Sequence, residues 1–408
     1  MADEADSPAP PGGDGDGDGY LPVSLACATF LVLGVASAAF GVLLPEVRDG
    51  YGVSNTAVGL FFLASTAGYL ISALASGTLV VRLGQRGLLL LGVGLFGGGY
   101  ALFGVEPVFA GAVLARFVAS LGVGGLEAGI NIGLAARPNS SPVMNTAHAF
   151  WGVGALFGPV VASTLVGAGW AWSAVFLIFA VLSLPLLVAF GRRQGRAPGS
   201  PVAVASLPLM ERLPAAGDVR AVVRLAGLFL VIYVAVEASL GNWGYSLLTD
   251  EYGLSGRFAG WAISSYWLGL TVARLTLSRV AAARGVSDRT LLRGCIAGVA
   301  VGLALIGVGA HVAVATVGFV VAGFALGPLY STGLVALAGR LPAARLPAAI
   351  GMVTSLSILG AAVGPWFAGI LADYLTLWSL APYNLLLTVV LWVLWRGLAP
   401  AEEWKAER

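Results

Sequence analysis

Two carboxylates lie within long apolar stretches of this sequence. Glu127 is in the middle of RFVASLGVGGLEAGINIGLAAR, residues 116–137, and Glu237 lies 13 positions from both Arg224 and Asp250. A carboxylate in hydrocarbon is costly unless it faces water or a polar partner, so both positions indicate a function. A carboxyl group there can bind and release a proton, or accept hydrogen bonds from a polar solute. Both are therefore candidate proton-coupling residues. The alternative for Glu127 is structural pairing with a neighbouring helix, and the alternative for Glu237 is a packing acid that hydrogen-bonds the backbone near Gly241 and Asn242.

The stretch around Glu127 has the length of a membrane crossing. Arg116 and Arg137 are 21 positions apart, which spans roughly 31 Å in a helix, about the thickness of the hydrocarbon core. A polar stripe on such a helix predicts a water-filled path. Arg116 either lines the outer part of this path, where it binds an anion, or extends to the membrane interface. Helical spacing aligns the members of the stripe, which are Arg116, Ser120, Gly124, Glu127 and Asn131.

Other polar and aromatic residues inside apolar stretches could complete a solute site. Aromatic rings stack on the apolar faces of a sugar, while amides and carboxylates bind its hydroxyl groups. The alternatives are interior packing and, for the tryptophans, a belt at the membrane interface. The predicted substrate-binding residues are Glu127, Asn131, Asn145, His148, Trp151, Tyr233, Asn242, Trp243, Tyr266, Trp267 and Tyr330. A polar face in the second apolar stretch holds Ser65, Tyr69, Ser72 and Ser76.

Two glycine-rich positions predict special helix geometry. Gly241 and Asn242 follow Glu237 by about one turn, and a glycine there permits a local break of the kind that lines substrate sites. The Gly154–Gly158-Pro159 motif either belongs to a proton-driven exporter or allows two helices to pack closely. We favour packing, because Val363-Gly364-Pro365 repeats the end of the motif in the second half of the chain.

The composition is that of a membrane protein. The 408 residues are 58% hydrophobic and 10% charged, with a mean hydropathy of +0.90, whereas a soluble chain carries about 25% charged residues. Repeated apolar runs of the length needed to cross a bilayer predict an all-α fold with twelve transmembrane helices. The predicted spans are 21–45, 55–81, 87–105, 108–136, 143–168, 170–191, 222–248, 258–280, 288–310, 312–338, 347–374 and 378–397.

The spans fall into two halves of six. Residues 21–191 form the N-terminal half and 222–398 the C-terminal half, joined by a basic, proline-containing linker at 192–221. Residues 1–20 are acidic and rich in proline and glycine, which is typical of a disordered tail, and 399–408 form a second tail. The halves also repeat, since DGYGVSNTAVG at 49–59 matches DEYGLSGRFAG at an offset of 201 that also aligns Gly84 with Gly285.

The basic residues predict the orientation in the membrane. Only Arg48 and Arg257 fall on one side, and by the positive-inside rule that side is extracellular and both termini are cytoplasmic. We expect the plasma membrane as the location. The nineteen residues on the other side are Arg82, Arg86, Arg137, Arg192, Arg193, Arg196, Arg212, Arg220, Arg224, Arg274, Arg279, Arg284, Arg289, Arg293, Arg340, Arg345, Arg396, Lys405 and Arg408.

Four stretches in both halves resemble a known transporter family. They are GVLLPEVRDGYGVSNTAVGL, GLEAGIN followed by NTAHAFWGVGALFGP, YVAVEASLGNW and SYWLGLTVARL. The chain resembles the major facilitator superfamily, and within it the fucose–proton symporter group and the related sodium-dependent glucose transporters. The resemblance implies two pseudo-symmetric six-helix halves that rock around a central solute site.

The resemblance also assigns roles to individual residues. The family's carboxylates in helices 4 and 7 correspond to Glu127 and Glu237, and its polar cluster in helix 5 corresponds to Asn145 and His148. One position departs from the family pattern. The helix-1 acid of the fucose symporters is replaced here by Gly41. Coupling therefore rests either on Glu127 alone or on Glu127 together with Glu237.

These observations favour a secondary transporter over an enzyme. The sequence has no cluster with metal-ligand spacing and no phosphate-binding loop of the ATPase type, so we expect no cofactor, and a proton or sodium gradient as the driving force. We predict proton-coupled uptake of a sugar or similar polar solute by a monomer in the lipid bilayer, with no nucleic-acid partner. The alternatives are a proton antiporter that exports an amphipathic compound and a non-transporting membrane receptor or scaffold.

Overall fold

The computed structural model describes residues 20–137, 140–192, 217–309, 311–341 and 346–398, and these residues form helices and short connections with no strand. Both predicted tails apart from Tyr20, and the linker apart from its ends, lie outside the described residues. The helices are α1 Val23–Tyr51, α2 Asn55–Val58, α3 Leu60–Val105, α4 Phe109–Ala135, α5 Ser140–Gly167, α6 Trp172–Arg192, α7 Gly217–Ser246, α8 Gly256–Ala283, α9 Asp288–Gly307, α10 Val312–Leu326, α11 Leu329–Ala338, α12 Leu346–Tyr374 and α13 Leu380–Leu398.

The helices agree with the predicted twelve-span architecture. Within the described ranges, ten helical stretches are long and apolar enough to cross a membrane. One of them, Asn55–Val105, contains two predicted spans, because the backbone at Gly84 turns to φ 70° and ψ 167° between them. The helix α8 is a further crossing of 28 residues, which is more polar because it carries arginines. The segments α10 and α11 form one crossing, Val312–Ala338.

The internal repeat is visible in the backbone. Gly52 and Gly253 have φ angles of 63° and 66°, and Gly84 and Gly285 have φ angles of 70° and 67°. Positive φ values in this range favour glycine, since a side chain would be strained there. Both pairs are separated by the predicted offset of 201 residues.

The glycine motifs hold helix pairs together within each half. A Cβ at Gly154 would lie 2.2 Å from the Leu31 carbonyl oxygen of α1, and a Cβ at Gly360 would lie 2.1 Å from the Val231 carbonyl oxygen of α7. The first contact joins α5 to α1 and the second joins α12 to α7, so the two halves use the same packing. This geometry supports the packing interpretation of the Gly154–Gly158-Pro159 motif.

The two ends of the bundle differ in charge. We call the end that carries Arg48, Asp250 and Asp373 the Arg48 face. The opposite end, which carries Arg82, Arg86, Arg284, Arg293 and Arg340 among the described residues, is the arginine-rich face.

Candidate functional site

A cavity of about 480 Å³ lies between the two halves. Helices of both halves contribute to its wall, and more than half of the lining side chains carry a hydroxyl, amide or charged group. Its size is within the range of small-molecule sites. The lining residues are Leu33, Ser37, Phe40, Phe62, Ser65, Thr66, Tyr69, Tyr100, Arg116, Ser120, Val123, Glu127, Trp151, Val234, Glu237, Ala238, Asn242, Trp267, Arg274, Tyr330, Ser357, Ile358 and Ala361.

Glu127 is the acid that the N-terminal half presents to the cavity. It lies on α4 and is half-buried. The Tyr69 side chain on α3 forms a hydrogen bond with it. The carboxyl group has no ion-pair partner among the described cavity residues, so its charge is neutralised when it binds a proton or meets a cationic solute.

Glu237 is the acid that the C-terminal half presents, and its surroundings differ from those of Glu127. Its Oε1 lies 3.7 Å from Arg274 Nη2 on α8. The same guanidinium group donates a hydrogen bond of 3.1 Å to the Tyr233 hydroxyl, and Tyr233 is also hydrogen-bonded to Glu237. Tyr330 packs on Tyr233 with ring centroids 5.7 Å apart. The acid of this half is therefore already paired with a cation.

Arg274 corrects the sequence-based charge distribution. The positive-inside rule groups it with the basic residues of the arginine-rich side, but it lies inside α8 and lines the cavity, with 40% of its side chain accessible. Without Arg274, the sequence still has eighteen basic residues predicted on one side against two on the other, so the predicted orientation does not change. The signal in the sequence was the spacing: Arg274 lies 18 positions into a helix of 28 residues, too far from the end to be a loop residue.

Two tryptophans from opposite halves meet at the cavity wall. Trp151 on α5 and Trp267 on α8 are perpendicular, with centroids 6.1 Å apart. Both were predicted as substrate-binding residues and both line the cavity, as do Asn242 and Tyr330. The Trp267 indole nitrogen is buried and has no hydrogen-bond partner among the described residues, and neither has the Ser65 hydroxyl. Both residues line the cavity, so these two unpaired polar groups lie within its wall.

Three further predicted substrate-binding residues lie behind the cavity wall. Tyr266 and Trp243 are buried, and they donate to backbone carbonyl oxygens of Glu237 and Pro365, at 2.9 Å and 2.8 Å. Tyr233 is fully buried and contacts Glu237 and Arg274 rather than the cavity. These three residues therefore support the site from behind.

The predicted polar cluster of α4 and α5 is separate from the cavity wall. His148 Nε2 and Asn131 Oδ1 are 3.2 Å apart, and the His148 ring packs on Phe30 with centroids 4.6 Å apart. Asn145 is exposed. This cluster lies one turn or more from Glu127 towards the arginine-rich face, so a solute in the cavity does not touch it in this conformation.

The structure explains why α1 carries no acid at Gly41. A Cβ there would lie 2.8 Å from Asn242 Cα and 2.8 Å from the Gly241 carbonyl oxygen, so α1 and α7 leave no room for any side chain. The polar residue that α1 presents to the cavity is instead Ser37. The predicted break at Gly241-Asn242 was wrong, because α7 is continuous through both residues and Asn242 Nδ2 donates to the Ala238 carbonyl oxygen at 2.8 Å. Gly241 instead makes space for Trp267.

Polar contacts join the halves at the Arg48 face. Asp373 at the end of α12 accepts hydrogen bonds from the Asn55 backbone, the Asn55 side chain and the Thr56 backbone, at 2.9, 2.9 and 2.7 Å. Arg48 Nη1 lies 3.3 Å from both Asp250 Oδ2 and Asn55 Oδ1. The cavity is therefore closed towards the Arg48 face.

Replacing Asp373 with asparagine should weaken this closure. An amide has only one acceptor oxygen in place of two charged ones, and at an exposed site the loss is about 1 kcal/mol, or roughly a fivefold shift towards the open form. Spin labels at the exposed Val108 and Val308, one in each half on this face, should then show a larger long-distance population. Asp288→Asn on the opposite face is the control, and equal distance distributions in the two variants would contradict this role of Asp373.

The sequence profile of the Major Facilitator Superfamily matches residues 25–245 and 225–408, which together cover nearly the whole chain. The chain belongs to the Major Facilitator Superfamily. Members of this superfamily are transporters rather than enzymes.

Three relatives illustrate the range of similarity. "Bypass of stop codon protein 6" of Saccharomyces cerevisiae is 26% identical over 63% of this chain, and the match spans only 56% of that protein. An uncharacterised transporter of Yersinia pestis is 23% identical over 84% of this chain and 87% of its own length. The L-fucose–proton symporter of Escherichia coli is 28% identical over 36% of this chain and 35% of its own length.

Solved transporter structures share the complete fold. The nucleoside transporter NupG superposes with a TM-score of 0.75 at 14% identity, covering 93% of this chain and 99% of that one. The D-xylose–proton symporter superposes with a TM-score of 0.74 at 17% identity, covering 93% and 97%. These similarities establish the twelve-helix, two-half architecture, and at these identities they show the fold alone.

Proposed function

We propose that this transporter couples proton entry to the uptake of a sugar or similar polar solute by alternating access. The observation that carries the proposal is the position of Glu127, an acid with no ion-pair partner in the described part of the chain, in a cavity shared by both halves. A proton carrier needs such a group, because binding a proton must change two quantities. One is the charge that faces the solute, and the other is the free-energy cost of closing the cavity off from water.

The contrast between the two acids supports Glu127 as the sole proton carrier. The Glu237 charge is compensated by Arg274 at 3.7 Å, so this acid needs no proton to be buried. Among the described residues, Glu127 has the Tyr69 hydrogen bond and no ion pair. We infer that Glu237 and Arg274 bind solute or hold α7 and α8 together, whereas Glu127 loads and unloads the proton.

The proposed cycle uses the Arg48 face as the extracellular gate. The distribution of basic residues supports this orientation, with both termini in the cytoplasm. In the conformation described, the Asp373 and Arg48 contacts close that gate. When they separate, Glu127 takes up a proton from outside and the cavity takes up solute. Reclosure and opening at the arginine-rich face then release both.

The chemistry of the cavity favours a small polar solute over a drug-like one. Hydroxyl groups of Ser37, Ser65, Thr66, Ser120 and Ser357 line it together with two acids and two arginines. The perpendicular tryptophans provide stacking surfaces for the apolar faces of a sugar. The names of two similar proteins, the L-fucose–proton symporter and the D-xylose–proton symporter, agree with this class. An exporter of amphipathic compounds would need a larger and mainly aromatic cavity, and a receptor would need no exchangeable acid.

The test is a pH measurement in proteoliposomes. Each sugar of a panel is added outside at matched pH in weak buffer, and an external dye reports the proton concentration. The proposal predicts external alkalinisation with at least one sugar, because the proton enters with it. The absence of a pH change with every sugar, combined with resistance to a toxic amphiphile on overexpression, would contradict the proposal and support the exporter instead.

A further inference from the structure

Arg116 is a buried cation at the end of the cavity nearest the Arg48 face. It is only 7% exposed, and it lies seven positions after the start of α4 at Phe109, or about 10 Å along the helix. Its Nη1 donates a hydrogen bond of 2.8 Å to the Tyr100 hydroxyl. The guanidinium carbon lies 4.2 Å from the centroid of the Phe40 ring and 5.5 Å from that of Tyr100. The side chain therefore stays in the cavity wall rather than extending to the interface.

Arg116 forms no ion pair with either acid of the cavity among the described residues. Glu127 is bound to Tyr69 and Glu237 to Arg274. Arg116 Nε is buried without a hydrogen-bond partner among the described residues. Aromatic rings stabilise part of a buried cation. Of the five N–H donors of the guanidinium group, one is bonded to Tyr100, and leaving the buried Nε donor unpaired is costly. The planar fork of donors on this cavity-lining side chain matches the geometry of a carboxylate.

We propose that the solute carries a carboxylate that binds Arg116, and that the transported class is therefore hydroxylated organic acids, such as sugar acids. This inference rests on the proposed function and narrows its solute class. The single arginine matches a monoanion, whereas a phosphate group carries a charge of about −1.5 to −2 near neutral pH and would need further cations. The serine and threonine hydroxyls along the cavity then bind the hydroxyl groups of the same molecule.

The charges of the cavity agree with this assignment. Arg116 and Arg274 are balanced by Glu127 and Glu237 when all four are ionised. A proton on Glu127 leaves one excess positive charge, and a carboxylate restores neutrality. The empty and the loaded cavity then carry the same charge, so uptake of the acid with one proton is electroneutral. A neutral sugar with one proton would instead move one positive charge per cycle.

Binding of matched sugar pairs tests the inference on the purified full chain. Glucose is compared with glucuronate and galactose with galacturonate, and the fluorescence of Trp151 and Trp267, which line the cavity, reports binding. The acid of each pair should bind roughly tenfold or more tightly than the sugar. Arg116→Gln should remove this preference, and Arg116→Lys should retain part of it. Arg257→Gln, which removes an exposed arginine outside the cavity, should leave it intact.

A transport measurement gives a second readout. In proteoliposomes with a potassium diffusion potential, the initial rate of glucuronate or galacturonate uptake should not depend on the sign of the potential. Uptake that is accelerated by an inside-negative potential would overturn the charge balance argued above.

The outcomes separate this inference from the function on which it rests. Equal binding of each sugar and its acid, unchanged in Arg116→Gln, would make Arg116 a packing residue and overturn the inference. The proposed function would survive that result if neutral sugars still caused external alkalinisation. If neither sugars nor acids bind or change the pH, both proposals fail. If the Arg116→Gln variant is not monodisperse, the Arg116→Lys variant takes its place in the binding test. A preference for acids in Arg116→Lys that is as large as in the unmodified protein would contradict the assignment.

Discussion

Replacing Glu127 with glutamine should abolish uphill transport while leaving solute exchange intact. A gradient of about one pH unit supplies about 1.4 kcal/mol per proton, which supports about tenfold accumulation. Glutamine keeps the hydrogen-bonding shape but cannot release a proton, so the accumulation ratio should fall from about ten to about one. The measurement is uptake of labelled solute into proteoliposomes under a pH gradient, compared with counterflow in its absence.

A matched acid outside the cavity controls for the loss of charge. Glu46→Gln removes an exposed carboxylate near the end of α1 and should accumulate solute as the unmodified protein does. Tyr69→Phe removes only the hydrogen-bond partner of Glu127 and should retain accumulation. If Glu127→Gln still accumulates solute, Glu127 does not carry the proton, and Glu237 becomes the remaining candidate.

Replacing Gly41 with alanine should displace the conformation with a closed Arg48 face. The new Cβ would lie 2.8 Å from backbone atoms of α7, which belong to the other half and cannot rotate away. Overpacking of this kind costs about 1–3 kcal/mol, so the equilibrium should shift roughly tenfold towards separation of α1 and α7. Spin labels at Val108 and Val308 should report longer distances, and the transport rate should fall, since closure becomes the slow step.

A second glycine provides the control for this substitution. A Cβ at Gly98 on α3 would meet nothing within 4 Å, so Gly98→Ala should leave both the distances and the rate unchanged. Gly41→Asp should behave like Gly41→Ala or worse, and should not restore a second proton site. Normal transport by Gly41→Ala, with unaltered distances, would show that α1 and α7 do not approach this closely during the cycle.

Much of the fold could be predicted from the sequence because its determinants are local. Apolar runs of the length of a bilayer crossing define the spans, and the repeated glycines at 52 and 253 define turns that only a positive φ allows. The boundary between the second and third spans was also predictable, from Gly84. The predicted break at Gly241 failed because a glycine also serves to admit a neighbouring ring, here that of Trp267, and one sequence does not distinguish the two uses.

The site was less predictable because it depends on which face of each helix meets the other half. Helical spacing correctly placed Glu127 with Arg116 and Ser120, since all three are on one helix and line the cavity. The pairing of Glu237 with Arg274 joins two helices through a contact that periodicity cannot assign. Tyr233 and Tyr266 show the reverse case, in which the sequence predicts a cavity residue and the structure buries it. Their types suit a sugar site, but their rings pack behind it.

The central claim, that a proton gradient drives solute entry through Glu127, is tested most directly by imposing one gradient at a time. Proteoliposomes are prepared with an acidic exterior, with the membrane potential clamped by potassium and valinomycin and with no sodium present. Labelled solute, chosen as the compound that gives the strongest pH response, should accumulate in the unmodified protein and only equilibrate in Glu127→Gln. Accumulation under a sodium gradient at equal pH, or accumulation that Glu127→Gln retains, would contradict the account.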